Sequence, residues 1–276
     1  MVVPMAGTLY IVATPIGNLE DLSFRAVRVL REAGRIACED TRHTRRLLDI
    51  YGIEKPLVSY HEHNEKERTE ELLRELEAGR SVALVSDAGT PLIADPGYRI
   101  VRAARERGIP VSPIPGPSAI MAALSAGGLA TDAFLFGGFL PAKAGARKRA
   151  LEMWQSLEAT LVFYEAPHRV VESLRNIAEV AGDRRVVVAR ELTKIHEEFL
   201  DGTAASIADA LEARPAIKGE FTIMVARAES SAQRDPAGIE AEVAALVAGG
   251  TPRMDALKAV ARRYGLSKRE VYRRTV

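Results

Sequence analysis

Short apolar runs followed by polar turns recur five times in the first part of the chain, at residues 8–13, 35–38, 57–60, 82–85 and 109–114. Apolar runs of this length, bounded by turn residues, are typical of buried strands, and the amphipathic stretches between them have the period of helices. An alternation of strands and helices predicts a parallel sheet with helices on its faces. The polar turns then share the carboxyl edge of the sheet, where open α/β sheets bind their ligands.

Four further strand-like runs follow, at residues 134–136, 160–164, 185–190 and 220–226. Fewer helical stretches separate these runs, so we predict a mixed second sheet. Three prolines within five residues, Pro113, Pro115 and Pro117, predict a stiff hinge between the two halves. The sequence therefore predicts an α/β fold with a first, Rossmann-like domain at residues 1–116 and a second α/β domain at residues 117–228.

The C-terminal segment is basic and has a helical pattern. Between Pro252 and Val276, eight basic residues stand against two acidic ones, a difference of +6, whereas the whole chain carries +1. Two helices joined across a glycine-containing turn resemble a helix-turn-helix, so we predict a small helical domain at residues 236–276, after a polar linker at 228–238. A basic module on a mildly acidic body indicates an anionic macromolecular partner, and a solvated helical face is the alternative.

The longest polar turn covers residues 86–97 and reads SDAGTPLIADPG. Two glycines, two prolines and two aspartates favour a rigid turn with exposed amides and fixed carboxylates. Asp87 stands directly after a strand, where an acidic residue can accept hydrogen bonds from ribose hydroxyls or an amine. In the alternative interpretation, Asp87 and Asp95 only cap turns and helix ends.

Cysteine content and hydropathy indicate the cellular compartment of the protein. Cys38 is the only cysteine, which excludes a disulfide within the chain and a thiolate metal cluster. No apolar run approaches the length of a membrane span, and residues 1–7 lack the charged start of a signal peptide. These features predict a cytoplasmic protein with no membrane partner.

The common phosphate-binding loops are absent from the sequence. No Gly-x-Gly-x-x-Gly follows the first strand, and no Gly-x-x-x-x-Gly-Lys-Ser/Thr occurs anywhere, so the first loop suits a ligand without a pyrophosphate. His61 and His63 would share a face of a continuing strand and could hold a metal there. Because no further histidine lies nearby, we interpret both as polar residues of the cleft and predict no metal.

Seven motifs then occur together and in order: ATPIGNL at 13–19, CEDTR at 38–42, SYHEHNE at 59–65, SDAGTP at 86–91, PGPSA at 115–119, GFLP at 138–141 and YEAPHR at 164–169. This set closely resembles the RsmI family of bacterial 16S ribosomal RNA cytidine 2′-O-methyltransferases, over about residues 8–226. Gly128 and Gly137 depart from the family pattern, where serine and glutamate are usual. The resemblance implies two α/β domains of tetrapyrrole-methylase type, with the cofactor in the cleft between them and a small helical C-terminal domain.

The resemblance also implies the cofactor and its contacts. S-adenosylmethionine would be bound by residues from several loops: Pro15, Asp87, Ala88, Ile93, Ser118, Ala119, Phe163, Tyr164, Leu192, and Thr222 or Met224. A ribose hydroxyl is a weak acid, so a base or a hydrogen-bond acceptor should help to remove its proton. The candidates are Asp40, His61 and Glu165, and the candidate substrate contacts are Arg42, Asn64, Arg169 and Arg190.

The implied substrate is 16S ribosomal RNA within the assembled 30S subunit, and a homodimer is expected by analogy. Stacking on an unpaired base needs aromatic side chains, for which Tyr10, Tyr60, Phe139 and Tyr164 are available. Three alternatives remain: a tetrapyrrole methylase acting on a small macrocycle, a ribosome-assembly factor without catalysis, and a DNA-binding tail. The basic tail and the loop clusters favour RNA over a macrocycle.

Overall fold

A computed structural model describes residues 6–228, 236–264 and 268–275. The first sheet is built from β1 (Leu9–Val12), β2 (Arg35–Cys38), β3 (Leu57–Ser59), β4 (Val82–Val85) and β5 (Val111–Ile114). Its strands are all parallel and run in the order β3-β2-β4-β1-β5. This arrangement confirms the predicted parallel sheet, so the carboxyl ends of the strands share one edge.

Helices cover both faces of the first sheet: α1 (Phe24–Glu32), α2 (Thr41–Ile50), α3 (Glu65–Glu77) and α4 (Tyr98–Glu106). Successive strand residues point to opposite faces, so each strand contributes to two separate cores. One core joins Ile36 and Val85 to Leu30 of α1 and Leu48 of α2. The other core packs Leu84 with the apolar residues of α3 and α4. Burial on both faces fixes the register and holds the loops at the carboxyl edge in place.

The second sheet contains β6 (Phe134–Phe139), β7 (Thr160–Glu165), β8 (Arg185–Arg190), β9 (Glu198–Thr203) and β10 (Phe221–Val225). Their order is β6-β7-β10-β8-β9, with β6 parallel to β7 and the other pairs antiparallel. The predicted mixed sheet is therefore confirmed. Strand β9 was not predicted, because its polar residues at 198, 201 and 203 interrupt an apolar run, as an edge strand permits.

Helices also pack on both faces of the second sheet. The helices are α5 (Ala119–Ala126), α6 (Ala144–Trp154), α7 (Val170–Ala181) and α8 (Ala204–Glu212). The core with α6, α7 and α8 includes Phe163, whereas the opposite face packs on α5 and on Ile16 of the first half. Helix α7 was not predicted, although its apolar positions follow a helical period. The face that carries α5 meets the loops of the first sheet and forms one side of the site.

Pro113 does not belong to the predicted hinge. It lies inside β5 and pairs with Ile11 of β1. A proline is tolerated there because β5 is an edge strand: among the described residues no strand pairs with its second side, where the missing N–H would be needed. Of the three prolines predicted to form the hinge, only Pro115 and Pro117 lie between β5 and α5.

Three helices follow the second sheet, namely α9 (Pro236–Ala248), α10 (Arg253–Tyr264) and α11 (Lys268–Arg274). Their apolar side chains form a separate small core that includes Ile239, Leu257 and Val271. Residues 229–235 of the predicted linker and the predicted turn at 265–267 lie outside the described residues. None of the described helices combines the length and the apolar character that crossing a membrane requires.

Candidate active site

A cavity of about 360 Å³ lies between the carboxyl edge of the first sheet and the α5 face of the second. Both halves of the chain line it, with Ile16, Asp87, Ala88, Gly89, Thr90, Ile93, Ala94, Asp95, Ser118, Ala119, Phe139, Tyr164, Glu165, Ala166, Pro167, Leu192, Glu220, Phe221 and Thr222. The polar exit of β4 supplies seven of these residues, so the turn at 86–97 forms one wall. The opposite wall comes from β6, β7, β10 and the loop after β8.

The β4 turn is held in place by backbone hydrogen bonds to the β1 turn. The amide of Thr14 donates to the carbonyl of Gly89 over 2.9 Å, and the amide of Gly89 donates back over 3.0 Å. Gly89 has a φ of +80°, which glycine adopts without strain. The hydroxyl of Thr90 donates to the carbonyl of Pro117, which ties the same turn to the segment before α5. The wall is therefore fixed on two sides.

The second part of the same turn contains left-handed backbone at residues other than glycine. Leu92 has a φ of +73° and Ala94 has a φ of +65°. Each such residue costs about 1–3 kcal/mol, so this conformation persists only where the surrounding structure determines it. The next residue is Asp95, which the turn places in the cavity wall.

Three carboxylates interact at the carboxyl edge of the first sheet. They belong to Glu39 after β2 and to Asp87 and Asp95 after β4. Burial, together with the negative charges of Glu39 and Asp87, raises the pKa of Asp95 to about 6, and a hydrogen bond with Ser86 opposes part of this shift. Burial and the charge of Asp87 also raise the pKa of Glu39. The edge is therefore negative where it meets the cavity.

Asp40 has a different environment from these three carboxylates. It is the N-cap of α2, where its Oδ1 accepts the backbone amide of Arg42 over 2.8 Å and its Oδ2 pairs with the Arg42 guanidinium over 3.0 Å. These hydrogen bonds with Arg42 lower the pKa of Asp40 to about 2. Asp40 does not line the cavity, whose wall is reached by Asp87 instead.

Aromatic side chains form part of the opposite wall. The Tyr164 ring contacts Phe136 and Phe139 edge to face, with ring centroids 4.9 Å and 5.7 Å apart. Burial and the negative charge of Asp95, which lines the same cavity, raise the pKa of Tyr164 to about 12. Phe139 is 55% exposed and ends β6 at the cavity wall.

The loop after β8 joins the two halves beside the cavity. The Thr193 hydroxyl accepts the amide of Asn18 over 3.1 Å, and a Cβ added at Gly17 would meet the Lys194 side chain at 2.4 Å. Glu191 and Thr193 both have positive φ, at 52° and 66°. Leu192, between them, lines the cavity. Leu192 was expected at the cofactor by resemblance, whereas the contact of this loop with the β1 turn was not predicted.

Glu165 is held inside a network of hydrogen bonds. Its side chain has no exposed surface; it pairs with Arg169 Nε over 3.2 Å and accepts the Ser173 hydroxyl and the Ala166 amide. Arg169 also donates to the carbonyl of Leu140. The network joins the end of β7 to the start of α7 and to the segment after β6. Glu165 therefore helps to form the cavity wall. The Arg169 guanidinium already binds Glu165 and the carbonyl of Leu140.

Other predicted site residues, among them Asn64 and His61, do not line the cavity. Asn64 accepts the amide of His61 over 2.9 Å and donates to Ser59, so it organises the turn before α3. Its amide nitrogen also lies 3.2 Å from His61 Nε2. Among the residues that the structure describes, no group of three or more His, Cys, Asp or Glu side chains is placed to hold a metal ion.

The two outlying arginines differ in their freedom. Arg190 donates to the carbonyl of Lys218 and pairs with Glu198, which also pairs with Arg214. Arg42 is 86% exposed and stands on the surface of α2. Although it pairs with Asp40, the Arg42 side chain is the more exposed of the two and the more accessible to a ligand.

The structure brings nine predicted residues together in the cavity wall: Asp87, Ala88, Ile93, Ser118, Ala119, Tyr164, Glu165, Leu192 and Thr222. Phe163 and Met224 have no exposed surface and lie in the cores of the second half. Ile16, rather than its neighbour Pro15, reaches the cavity from the β1 turn. The wall also contains Asp95, Glu220 and Pro167, to which the sequence analysis gave no role in a site.

Comparisons with known proteins agree with this geometry. The sequence profile of the tetrapyrrole (corrin/porphyrin) methylases matches residues 8–208. A protein of Mesorhizobium japonicum named Ribosomal RNA small subunit methyltransferase I is 48% identical over 272 residues, which cover 98% of this chain and 92% of the relative. A protein of the same name from Xylella fastidiosa is 49% identical over 270 residues, which cover 96% of this chain and 98% of the relative.

The fold also matches solved structures. A uroporphyrin-III C-methyltransferase from Thermus thermophilus, solved in complex with S-adenyl homocysteine, has a TM-score of 0.56 and 21% sequence identity to this chain. The match covers 79% of this chain and 97% of that structure. At this identity the match shows the fold, and the closer sequence relatives show the family. The chain therefore belongs to the tetrapyrrole methylases and, within them, to the methyltransferases named Ribosomal RNA small subunit methyltransferase I, the RsmI family.

Proposed function

We propose that this enzyme transfers a methyl group from S-adenosylmethionine to small-subunit ribosomal RNA, at the ribose 2′-oxygen of a cytidine in the decoding centre. The observation that carries the RNA assignment is the match to ribosomal RNA small subunit methyltransferases at 48% and 49% identity over nearly the whole chain. The cytidine, the 2′-oxygen and the decoding centre are inferred from the motifs shared with the RsmI family.

The cavity has the chemistry that S-adenosylmethionine requires. The methyl donor supplies an electrophilic methyl group on a positively charged sulfur. Asp87 and Asp95 provide negative charge at one wall, while Ile16, Ile93 and Leu192 provide apolar surface for an adenosyl group. The close backbone contact between Gly89 and Thr14 leaves amides and carbonyls of the turn beside this surface. Asp87, Ala88, Ser118, Ala119, Tyr164 and Thr222 are the residues that we assign to cofactor binding.

The protein's own contribution to the reaction is mainly positioning. Methyl transfer needs the acceptor oxygen in line with the bond that breaks, and holding two reactants in this geometry can supply much of the rate enhancement. Two hydrogen bonds fix the two walls relative to each other. One joins Thr90 of the β4 turn to Pro117, and the other joins Asn18 to Thr193. Neutral walls such as Leu192 and Phe221 exclude water from the reacting atoms.

Two exposed side chains are our candidates for substrate contacts. Arg42, outside the cavity wall, presents a guanidinium for a phosphate, and Phe139, in the cavity wall, presents a ring for a base. The basic helices α10 and α11 form a separate core and would act as a docking module for RNA. We expect a cytoplasmic homodimer that acts on the assembled 30S subunit.

A macrocycle is the alternative acceptor, since the family profile takes its name from tetrapyrrole methylases. The specific observation against it is the basic C-terminal module, which a small macrocycle does not need. A protein enzyme that methylates RNA also explains the intact cavity, because an assembly factor without catalysis would not need to retain it.

The test is methyl transfer from labelled S-adenosylmethionine to small ribosomal subunits that lack the modification, with naked 16S RNA in parallel. We expect label on the 2′-oxygen of one cytidine in the subunit, identified by mapping the labelled nucleotide. Label on a base, or on a different RNA region, would contradict the proposed acceptor while preserving the methyltransferase assignment. Label in a porphyrin precursor but in neither RNA substrate would support the macrocycle instead.

A further inference from the structure

We propose that Asp95 accepts the proton of the acceptor hydroxyl during methyl transfer. The inference rests on the proposed function, because it presupposes a ribose hydroxyl as the acceptor. Asp95 replaces Asp40, His61 and Glu165, the three groups that the sequence suggested for this role.

The first observation is the place of Asp95 in the cavity. It lies in the wall formed by the β4 turn, and Tyr164 of the second sheet lines the same cavity. A group that takes a proton from a bound hydroxyl must be within hydrogen-bond reach of it, so it has to face the cavity between the cofactor and the substrate opening. Asp95 lies on one side of the cavity and the exposed ring of Phe139 on the other.

The second observation is the backbone that presents Asp95. Leu92 and Ala94 both adopt left-handed conformations immediately before it. Gly97 follows with a φ of +137°, and a Cβ at that position would lie 2.8 Å from Leu84 and 2.9 Å from Leu92. An unstrained helix cap would not require this backbone. The turn therefore holds the Asp95 carboxyl in a defined place against a conformational cost.

The third observation is that the other acidic groups are already engaged. Asp87 Oδ1 accepts the backbone amide of Asp40, and Asp40 is paired with Arg42 outside the cavity wall. The Glu165 side chain is enclosed by Arg169, Ser173 and the Ala166 amide. The remaining carboxylate of the wall, Glu220, pairs with Lys194, whereas Asp95 forms no ion pair within the described residues and has the Ser86 hydroxyl as its hydrogen-bond partner.

The charges around Asp95 favour proton acceptance. From the first half, the carboxylates of Glu39 and Asp87 and the hydroxyl of Ser86 act on Asp95. From the second sheet, the phenol of Tyr164 interacts with its charge. Burial and the two carboxylates raise the pKa of Asp95 to about 6, so the group is ionised at neutral pH but more basic than an ordinary aspartate. A base is most effective when its pKa lies near the working pH.

The step balances in atoms and charge. The ribose O–H bond breaks and its proton moves to the Asp95 carboxylate, while the oxygen forms a bond to the methyl carbon. The bond between that carbon and the sulfonium sulfur breaks, and its electron pair stays on sulfur as a neutral thioether. A positive sulfonium and a negative carboxylate are both neutralised, and Asp95 then releases its proton to water. A reaction that removes two opposite charges is favoured in a cavity with apolar walls.

The test compares Asp95→Asn with wild type in single-turnover methylation of small ribosomal subunits. We expect the rate to fall at least about 100-fold, a usual contribution of a general base, while the Kd for S-adenosylmethionine changes less than about threefold. In the wild type the rate should fall tenfold per pH unit below about 6, because protonated Asp95 cannot accept the proton. This acid limb should be absent from the residual rate of Asp95→Asn.

Asp132→Asn is the matched control, since Asp132 is an exposed carboxylate paired with Arg227 away from the cavity. It should retain the wild-type rate and pH profile. A wild-type rate that is constant from pH 8 to pH 5 would overturn the inference without any variant, as would an Asp95→Asn enzyme with full turnover. Both outcomes leave the proposed function intact, whereas a wild type that methylates no ribose contradicts the proposed function itself.

Discussion

The backbone amide of Asp40 donates a hydrogen bond to Asp87 Oδ1 across 3.1 Å. Two adjacent aspartate-bearing turns, after β2 and after β4, are thereby joined at the edge of the first sheet. Asp87 is thus both part of the cavity wall and an acceptor that fixes the start of α2. The two functions of this carboxylate can be separated by substitution.

Asp87→Asn should weaken cofactor binding without disturbing the fold. Asparagine keeps an oxygen that can accept the Asp40 amide, but it removes the negative charge that we assign to binding the cationic cofactor. We expect the Kd for S-adenosylmethionine to rise about tenfold, which corresponds to about 1.4 kcal/mol, as measured by titration calorimetry. Asp87→Ala should bind more weakly still and should also lower Tm. Unchanged affinity in Asp87→Asn would remove this residue from the cofactor site.

Asp40→Asn should change stability in neutral solution but not in strong acid. The pKa of Asp40 lies at about 2 in the folded protein, below its ordinary value of 3.8, because of the hydrogen bonds with Arg42. Its charge therefore stabilises the fold fully above pH about 4, and this stabilisation is lost as the pH falls to about 2. The Tm difference between wild type and Asp40→Asn should be present at pH 6 and vanish near pH 2.

The same variant tests the catalytic hypothesis for Asp40. Because asparagine is also a good N-cap, helix α2 should persist and turnover should remain within a few fold of wild type. A loss of about 100-fold in Asp40→Asn, with normal cofactor binding, would reinstate Asp40 as the base.

Glu165→Gln should destabilise the protein more than an exposed ion-pair substitution does. The Glu165 side chain is fully enclosed, and removing its charge leaves the partly buried guanidinium of Arg169 without its counter-ion. Breaking such a pair costs about 3 kcal/mol, measurable by denaturant unfolding. Asp209→Asn provides the comparison, because the Asp209–Arg175 pair is solvent-exposed and should contribute less than about 1 kcal/mol. Equal effects for the two variants would contradict the structural role of Glu165.

Phe139→Ala should reduce affinity for the ribosomal substrate and leave the cofactor Kd unchanged. The exposed Phe139 ring lies at the cavity beside Tyr164, where an unpaired base can stack. Stacking of one base on an aromatic ring contributes about 1–3 kcal/mol, so KM for the subunit should rise at least about fivefold. Phe134→Ala, at the other end of β6 and 41% exposed, should have the wild-type KM. A similar KM for both variants would exclude Phe139 as the stacking ring.

The hydrophobic pattern predicted the first sheet because its strands are short, buried on both faces and separated by amphipathic helices. Val82–Val85 is buried throughout, so its apolar run marked the strand and placed the turn at 86–97 at the edge. The second sheet was harder to predict. Its edge strand β9 has the sequence EFLDGT. The polar residues of this strand interrupt the apolar pattern, and one of them, Asp201, pairs with Arg185 of β8.

Within the site, the sequence identified loops better than it identified side chains. Tyr164 and Phe163 are neighbours in β7, and the pleat sends the first to the cavity and the second to the core. Resemblance alone assigned both to the cofactor. Asp95 after β4 and Tyr164 in β7 line one cavity from different halves of the chain, and no local sequence pattern encodes this arrangement. The raised pKa of Asp95 likewise depends on Glu39, which follows β2 and is distant from Asp95 in the sequence.

The cavity draws its walls from positions as far apart as Ile16 and Thr222. During synthesis, the first five strands can pair as soon as they leave the ribosome, since each parallel pair is local to that half. The cofactor site has to wait for β10, which lies at the centre of the second sheet. A nascent chain that stops before Phe221 therefore lacks the part of the cavity wall that Phe221 and Thr222 supply.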